Sequence, residues 1–439
     1  MPPLAQIDIL KAMKSDKIYY PEDKIPFTRL VPMGLQHVVA MFGSTVLAPV
    51  LMGFNPQTAL FFSGIGTLMF LVITGFKVPS YLGSSFAFIG PVIAVTGGSP
   101  DKIPAALCGI AAAAVCYAVA AVVTIRRGSG WIDALMPPVV TGSVVALIGL
   151  NLAGSALSNA INPDFMVRTP RDWELLSAAF ITFAVSAGVS IYARGFMRLL
   201  PILSGVLVGY GYCAATGLLS DSAIAAIAQA PWLGLPPLQA PAWSFSSILV
   251  IAPVFVVLVA ENKGHIAAIS SYMNRDLTPL LGRAYLGDAA ATFVSAMGGG
   301  TPQTTYAENM GVMAITRVFS VSNFAAASVA AILLGLCPKF GAAIHSIPGP
   351  VLGGVSLILY GLIALMGVKI WVDAKVDFCD HRNLIIAGSS LIAATGLGVR
   401  GLTVGSVNIA GIAFGTVMAL ALNFLLSHSD RVKTDRYCA

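Results

Sequence analysis

Runs of apolar residues recur along the 439-residue chain, separated by short polar links. A helix needs about 20 residues to cross the hydrocarbon core of a bilayer. The pattern predicts crossings near 30–53, 57–75, 104–125, 136–157, 173–193, 199–218, 246–268, 282–298, 322–338, 348–367, 383–397 and 406–427. Two further apolar regions, 80–97 and 300–316, are interrupted by Gly, Pro and polar residues, and including them gives fourteen segments. A charge-bearing tail, 1–28, precedes the first run, which continues to full spanning length and so does not read as a cleavable signal.

The pattern also repeats. "PVVTGSVVALIGL" (Pro138–Leu150) aligns with "PVLGGVSLILYGL" (Pro350–Leu362), sharing the Pro, both Gly and the closing Leu, at an offset close to half the chain. Seven segments per half is an odd number, so the second half enters the membrane from the opposite side, as in the inverted repeats of secondary transporters. Polar sites fall at matching places: "LQH" (Leu35–His37) answers "ENKGH" (Glu261–His265), and "GSSFAFIGP" (Gly83–Pro91) answers "GGTPQTTYAEN" (Gly299–Asn309).

Composition sets the solvent. The chain is 57% hydrophobic and 10% charged, with mean hydropathy +0.84, where a soluble domain carries roughly 25% charged residues. With an even number of crossings, most Lys and Arg fall on the side of the two termini. Lys102, Arg168, Arg171, Lys339 and Arg400 fall on the other, and Lys263 lies inside a span. That bias predicts cytoplasmic termini, and it accounts for the net charge of +6 without nucleic acid. Six scattered cysteines form no CxxC pair, so neither a disulfide framework nor a zinc site is indicated.

Candidate chemistry sits in the interrupted regions. A polar stretch from Thr301 to Asn309 containing Pro302 cannot face lipid, because unsatisfied backbone groups in hydrocarbon cost several kcal/mol each. Gly90 and Pro91 suit the start of a half-helix, and a matching one is expected from about Asn309 toward Arg317. Two such helices, head to head, would offer N–H groups to the carbonyl oxygens of a planar ligand. Glu261 and His265, four residues apart, share a helix face. A carboxylate inside a membrane is a functional candidate by default, and burial disfavours its charged form, so Glu261 and Glu308 are candidate proton carriers. The plainer alternative is a structural hydrogen-bond set with His265 and Asn309. His37, beside Gln36, is as readily explained as a tie between helices. Glu261, His265 and Glu308 could be read as metal ligands, but no further motif supports that. Phe86 and Tyr306, beside these acids, suit stacking on a flat ring.

"ENMGVMAITR" (Glu308–Arg317) resembles the signature of the nucleobase-ascorbate transporter family, also called nucleobase:cation symporter-2. "QHVVAMFGSTVLAPVL", "VPSYLGSSFAFIGP", "MPPVVTG", "AENKGH" and "TTYAENMGVMAITRVFS" extend the resemblance over nearly the whole chain. It implies an all-α polytopic membrane protein with fourteen segments in two inverted seven-segment repeats. Segments 1–4 (29–127) and 8–11 (244–342) would form a core domain, and segments 5–7 (128–243) and 12–14 (343–428) a gate. Tails 1–28 and 429–439 would be cytoplasmic, and short antiparallel strands would lie in segments 3 and 10. It further implies a transporter rather than an enzyme, importing uracil or a related pyrimidine by proton symport with alternating access of core against gate. No cofactor or metal beyond the coupling proton is implied, and the setting would be a homodimer in the lipid of a bacterial inner membrane. Carried over by residue, Glu261 and Glu308 hold the base, Phe86 and Tyr306 flank it, and Ala307 offers a backbone N–H. His265 is coupled to the site and Tyr360 belongs to the gate, with Gln36, His37, Ser85, Asp288 and Asn309 in support. Xanthine carriers of the family tend to have Gln at the Glu308 position and ascorbate carriers Pro, which favours uracil. Asp288 matches an acid shared with xanthine members, so a xanthine or thymine carrier is the alternative, followed by a facilitator or anion carrier of the same fold. Lys263 departs from the family pattern, and a pairing with Asp288 is the expectation for it.

Overall fold

The computed structural model describes residues 18–162, 166–398, 401–404 and 407–427. Most of the two tails, with Arg400 and Cys438, lies outside the described residues.

The first half comprises α1 (Phe27–Ala40), α2 (Pro56–Ile73), β1 (Leu82–Ser84), α3 (Ile89–Thr96), α4 (Ile103–Arg127), α5 (Pro138–Ala160), α6 (Pro170–Tyr192) and α7 (Pro201–Ala215). The second half comprises α8 (Phe255–Met273), α9 (Leu281–Met297), β2 (Gln303–Thr305), α10 (Ala307–Thr316), α11 (Val321–Gly335), α12 (Gly349–Asp373), α13 (His381–Leu397), β3 (Leu402–Val404), β4 (Val407–Ile409) and α14 (Gly411–Ser427). Shorter helices link them, among them Phe245–Ile251, which leads through a single 3-10 turn into α8.

Helix starts follow local chemistry. Pro occupies the first turn of α2, α5, α6, α7 and α12, where its missing N–H has no partner to lose. Asn55 caps α2 by accepting from the backbone of Gln57 and Thr58, and Thr169 forms a capping box with Asp172 at α6. Among the described residues, six helices are long and apolar enough to cross a membrane alone, or eight if each of two bent pairs counts as one span. One bent pair is α11 with Pro338–His345, turned by 79°. The chain is thus a multi-pass membrane protein. Regions 80–97 and 300–316 each fold as a three-residue strand followed by a short helix, because their Gly, Pro and hydroxyl residues interrupt the helical hydrogen-bond ladder.

β1 and β2 pair antiparallel, with Leu82 opposite Thr305, Gly83 opposite Thr304 and Ser84 opposite Gln303. Elsewhere β3 and β4 pair as a second antiparallel ribbon, unanticipated by the sequence reading, and α14 starts only at Gly411. The helices pack in two groups. In one, α4 and α2 lie against α9, and α2 and α1 against α11. In the other, α5 packs along α12, α6 against α7 and α12, and α13 and α14 against each other and α5. α8 packs on α10, β2 and α4 of the first group and reaches α5 of the second.

Candidate functional site

The site is built around the strand pair. Because β1 and β2 are antiparallel, the helical turns that follow them, 86–96 and 307–316, leave in opposite directions. Hydroxyl-rich sequence lets the strands exist inside a membrane protein. Thr292 and Ser295 of α9 satisfy the backbone of β2: Thr292 Oγ1 lies 3.0 Å from both the Gln303 N–H and carbonyl, and Ser295 Oγ donates to the Thr301 carbonyl at 2.6 Å. Ser63 of α2 donates to the Leu82 carbonyl at 2.5 Å, and the Leu82 N–H donates to Thr67 Oγ1 at 2.8 Å. Ser84 Oγ meets Thr301 Oγ1 at 2.5 Å, and the Ser85 N–H donates to the Pro302 carbonyl at 2.9 Å.

Directly after the strands come the aromatic residues. Phe86 and Tyr306 face each other edge to face, with ring centroids 5.8 Å apart and planes at 66°. The Tyr306 hydroxyl donates to the Ser84 carbonyl, so this ring is anchored across the pair. Tyr306 is extended and caps α10, whose helix starts at Ala307 and carries Glu308 in its first turn. First-turn N–H groups have no partner within their own helix.

α8 supplies the facing groups. His265 Nδ1 lies 2.8 Å from Thr305 Oγ1, tying α8 to β2. Glu261, one turn earlier, keeps a buried Oε2 with no hydrogen-bond partner among the described residues. The carboxyl groups of Glu261 and Glu308 are within electrostatic reach of one another. From α1, His37 Nδ1 meets Asn309 Oδ1 at 2.8 Å, and its ring packs on Phe324 with centroids 4.6 Å apart. Gln36 Nε2, Ser85 Oγ, Thr304 Oγ1 and Asn309 Nδ2 are likewise buried and unpartnered among the described residues. Buried polar groups are normally hydrogen-bonded. Five such atoms thus lie on α1, the strands and their flanks, α8 and α10.

Two further candidates have other settings. Tyr360, whose buried hydroxyl has no hydrogen-bond partner among the described residues, is on α12 in the other packing group. Asp288 is fully buried on α9, where the Asn262 side-chain amide donates to Oδ2 and also to the Tyr117 hydroxyl at 3.1 Å. The expected pairing of Asp288 with Lys263 is therefore corrected: the neighbouring residue, Asn262, faces α9, and each residue along a helix turns by about 100°. Sequence reasoning missed Asn262, Tyr117, Thr292 and Ser295. Only Asn262 carried a signal, as an amide inside a span next to Glu261. Among the described residues no three His, Cys, Asp or Glu side chains are grouped to hold a metal ion.

A family model described as a permease family, Xan_ur_permease, matches residues 28–405. The chain is 45% identical over 415 residues to the RutG pyrimidine permease of Escherichia coli (strain K12), covering 93% of this chain and 91% of that protein. It is 42% identical over 420 residues to the uracil permease of Bacillus caldolyticus, covering 92% and 94%. Over 405 residues it is 40% identical to the uracil permease of Escherichia coli (strain K12), covering 92% of each. Among solved structures, the murine Slc26a9 anion transporter in its inward-facing state superposes with a TM-score of 0.70 at 10% identity, covering 94% of this chain and 71% of that one. The transmembrane domain of the cyanobacterial bicarbonate transporter BicA gives 0.63 at 14% identity, covering 91% and 98%. At such identities the likeness is one of fold alone.

Proposed function

The chain belongs to the nucleobase:cation symporter-2 permease family, and from that premise we propose that it is a secondary active transporter importing uracil or a closely related pyrimidine together with a proton. The observation that carries the proposal is that Glu261 and Glu308 lie within electrostatic reach of one another, with Glu308 in the first turn of α10 directly after the Tyr306 ring that faces Phe86. Uracil presents N–H donors and carbonyl acceptors in one plane. Carboxyl oxygens accept from the first, backbone N–H groups from Ala307 onward donate to the second, and Phe86 and Tyr306 flank the ring. The names of the relatives, uracil and pyrimidine permeases, support this cargo.

Transport follows from burial. A proton on Glu308 or Glu261 removes a charge that would otherwise be stranded in the membrane, and permits the base to bind. The core (29–127 and 244–342) then moves against the gate (128–243 and 343–428), and base and proton leave together. The two helix-packing groups support that division, and the repeat with its two strand–half-helix units supports fourteen segments in two inverted halves. Tyr360 acts from the gate side, His265 holds α8 against β2 beside the proton carriers, and Gln36, His37, Ser85 and Asn309 complete the polar lining. Asp288 acts from behind the site through Asn262. Cytoplasmic termini, a bacterial inner membrane and a homodimeric assembly complete the proposal.

The fold neighbours are transporters of anions by their titles, but two neighbouring buried acids, Glu261 and Glu308, oppose an anionic cargo. Asp288, bonded by the Asn262 side chain on a helix that packs against β2, leaves xanthine as the alternative cargo. Uptake of labelled uracil into proteoliposomes, competed with thymine and xanthine, tests the assignment. Saturable uptake competed more strongly by thymine than by xanthine is expected; absence of uracil uptake contradicts it.

A further inference from the structure

The segment Ile18–Ile25 runs across one end of the first packing group. Tyr19 forms a parallel bridge with Val318: its N–H donates to the Arg317 carbonyl at 3.1 Å, and its carbonyl accepts from the Phe319 N–H at 2.7 Å. The Pro21 carbonyl accepts from the Val321 N–H at 3.2 Å, and the Asp23 carbonyl from Ser320 Oγ at 2.5 Å. Glu22 forms an ion pair with Arg275 in the α8–α9 turn at 2.8 Å, and the Arg275 guanidinium stacks 3.8 Å from the Tyr20 ring centroid. Ile25 is buried with Met33 of α1 and Val318 in a small apolar cluster of their own.

These partners are informative. Residues 317–320 are the link that leaves α10, the half-helix carrying Glu308 at its other end. Arg317, the C-cap, sits in the left-handed region at φ 57°, a conformation disfavoured for a side chain with a Cβ. It persists where surrounding structure over-determines it, and here the bond from Tyr19 N–H to the Arg317 carbonyl does so. α10 is only 10 residues long and cannot hold itself as an isolated helix. Its position therefore depends on the packing of α8 and α1 against it and on what holds its ends.

We propose that Ile18–Ile25 is a latch that fixes the far end of the Glu308 half-helix, with Tyr19 and the Glu22–Arg275 pair as positioning residues that set substrate affinity rather than turnover. The partners named all lie on α1, α10–α11 and the α8–α9 turn, within one packing group, so the latch moves with the site and does not brake one group against the other. The cargo rests on the transport reading above; the mechanical part does not.

The test uses the full-length protein with two readouts, amide hydrogen exchange of residues 310–317 and KM against maximal rate for uracil uptake. Tyr19→Pro removes the N–H that bonds Arg317, and about fivefold faster exchange is expected, the equivalent of one hydrogen bond, with KM raised to a similar extent and maximal rate retained. Glu22→Arg and Arg275→Glu should each raise both quantities by about twofold to threefold, since the side chains are half-exposed and such pairs are weak. The double exchange should restore both. Unchanged exchange in Tyr19→Pro overturns the latch. Faster exchange with unchanged KM overturns the affinity role. If the wild type takes up no uracil, the transport reading fails, and the exchange measurement still decides whether the segment holds α10.

Discussion

The strand pair with its half-helices and the α5–α12 contact satisfy the same membrane in opposite ways. Along α5 and α12 the backbones touch through glycine. A Cβ at Gly149 would lie 2.2 Å from the Tyr360 carbonyl oxygen, one at Gly367 would lie 2.4 Å from the backbone of Gly142 and Ala146, and one at Gly353 would lie 2.3 Å from the Ala160 nitrogen. Small residues that admit close backbone approach are how helices associate without a hydrophobic driving force between them. Around β1 and β2 the backbone is instead paired strand to strand and by hydroxyls, while several side-chain polar atoms are left unmatched. One region is closed mainly by shape, although Asn151 Oδ1 on α5 and the Ser356 and Tyr360 hydroxyls on α12 are buried without hydrogen-bond partners among the described residues. The other is held by strand pairing and hydroxyl bonds, with Ser85 Oγ and Thr304 Oγ1 unmatched among the described residues. On the proposed reading, the base binds where strands replace helix and two carboxyl groups are buried.

Substitutions should separate the two regions. The largest effect is expected for Glu261→Gln, which exchanges an acceptor oxygen for a donor and removes a proton carrier. Uracil uptake should fall about a hundredfold, as for a charged hydrogen bond lost from a buried site, while thermal unfolding of the purified protein stays near wild type. Gly149→Val should do the reverse at its own scale, lowering stability by about 3 kcal/mol through overpacking, visible as a lower unfolding midpoint and loss of a monodisperse species. Asn262→Leu leaves the buried Asp288 without its donor and should cost about 2 kcal/mol; a midpoint equal to wild type would mean that Asn262 does not hold Asp288 in solution. Phe86→Leu is the mildest, removing an aromatic partner worth about 1 kcal/mol. It should raise KM for uracil roughly fivefold with little change in stability.

The two regions also differed in how far sequence revealed them. The apolar periods located the helices, and the i, i+4 spacing of Glu261 and His265 put both on the α8 face that meets β2 and α10. The interrupted stretch around Thr301–Asn309 announced a departure from helix, because Pro and hydroxyl residues in an apolar chain have no other use there. Which partner each polar residue takes was not legible. Asp288 bonds Asn262 rather than Lys263, a choice made by one helical step and by the position of α4 with Tyr117. Thr292 and Ser295 look like ordinary small residues of a span until β2 lies against them. The β3–β4 ribbon was not legible: β4 lies inside the run 406–427 read as a crossing and β3 just before it, and their pairing is a contact that hydropathy does not encode. Contacts between residues far apart in sequence carry the information that a one-dimensional pattern lacks.

The central claim is that the acid opening α10 binds a nucleobase and carries a proton. The most direct measurement is labelled uracil uptake by proteoliposomes, with and without an inward proton gradient, for the wild type beside Glu308→Gln. The account predicts that the gradient drives accumulation in the wild type, that a protonophore abolishes this, and that the variant, if it moves uracil at all, is indifferent to the gradient. Wild-type uptake indifferent to the gradient, or a variant that still accumulates uracil against its concentration difference, would contradict it.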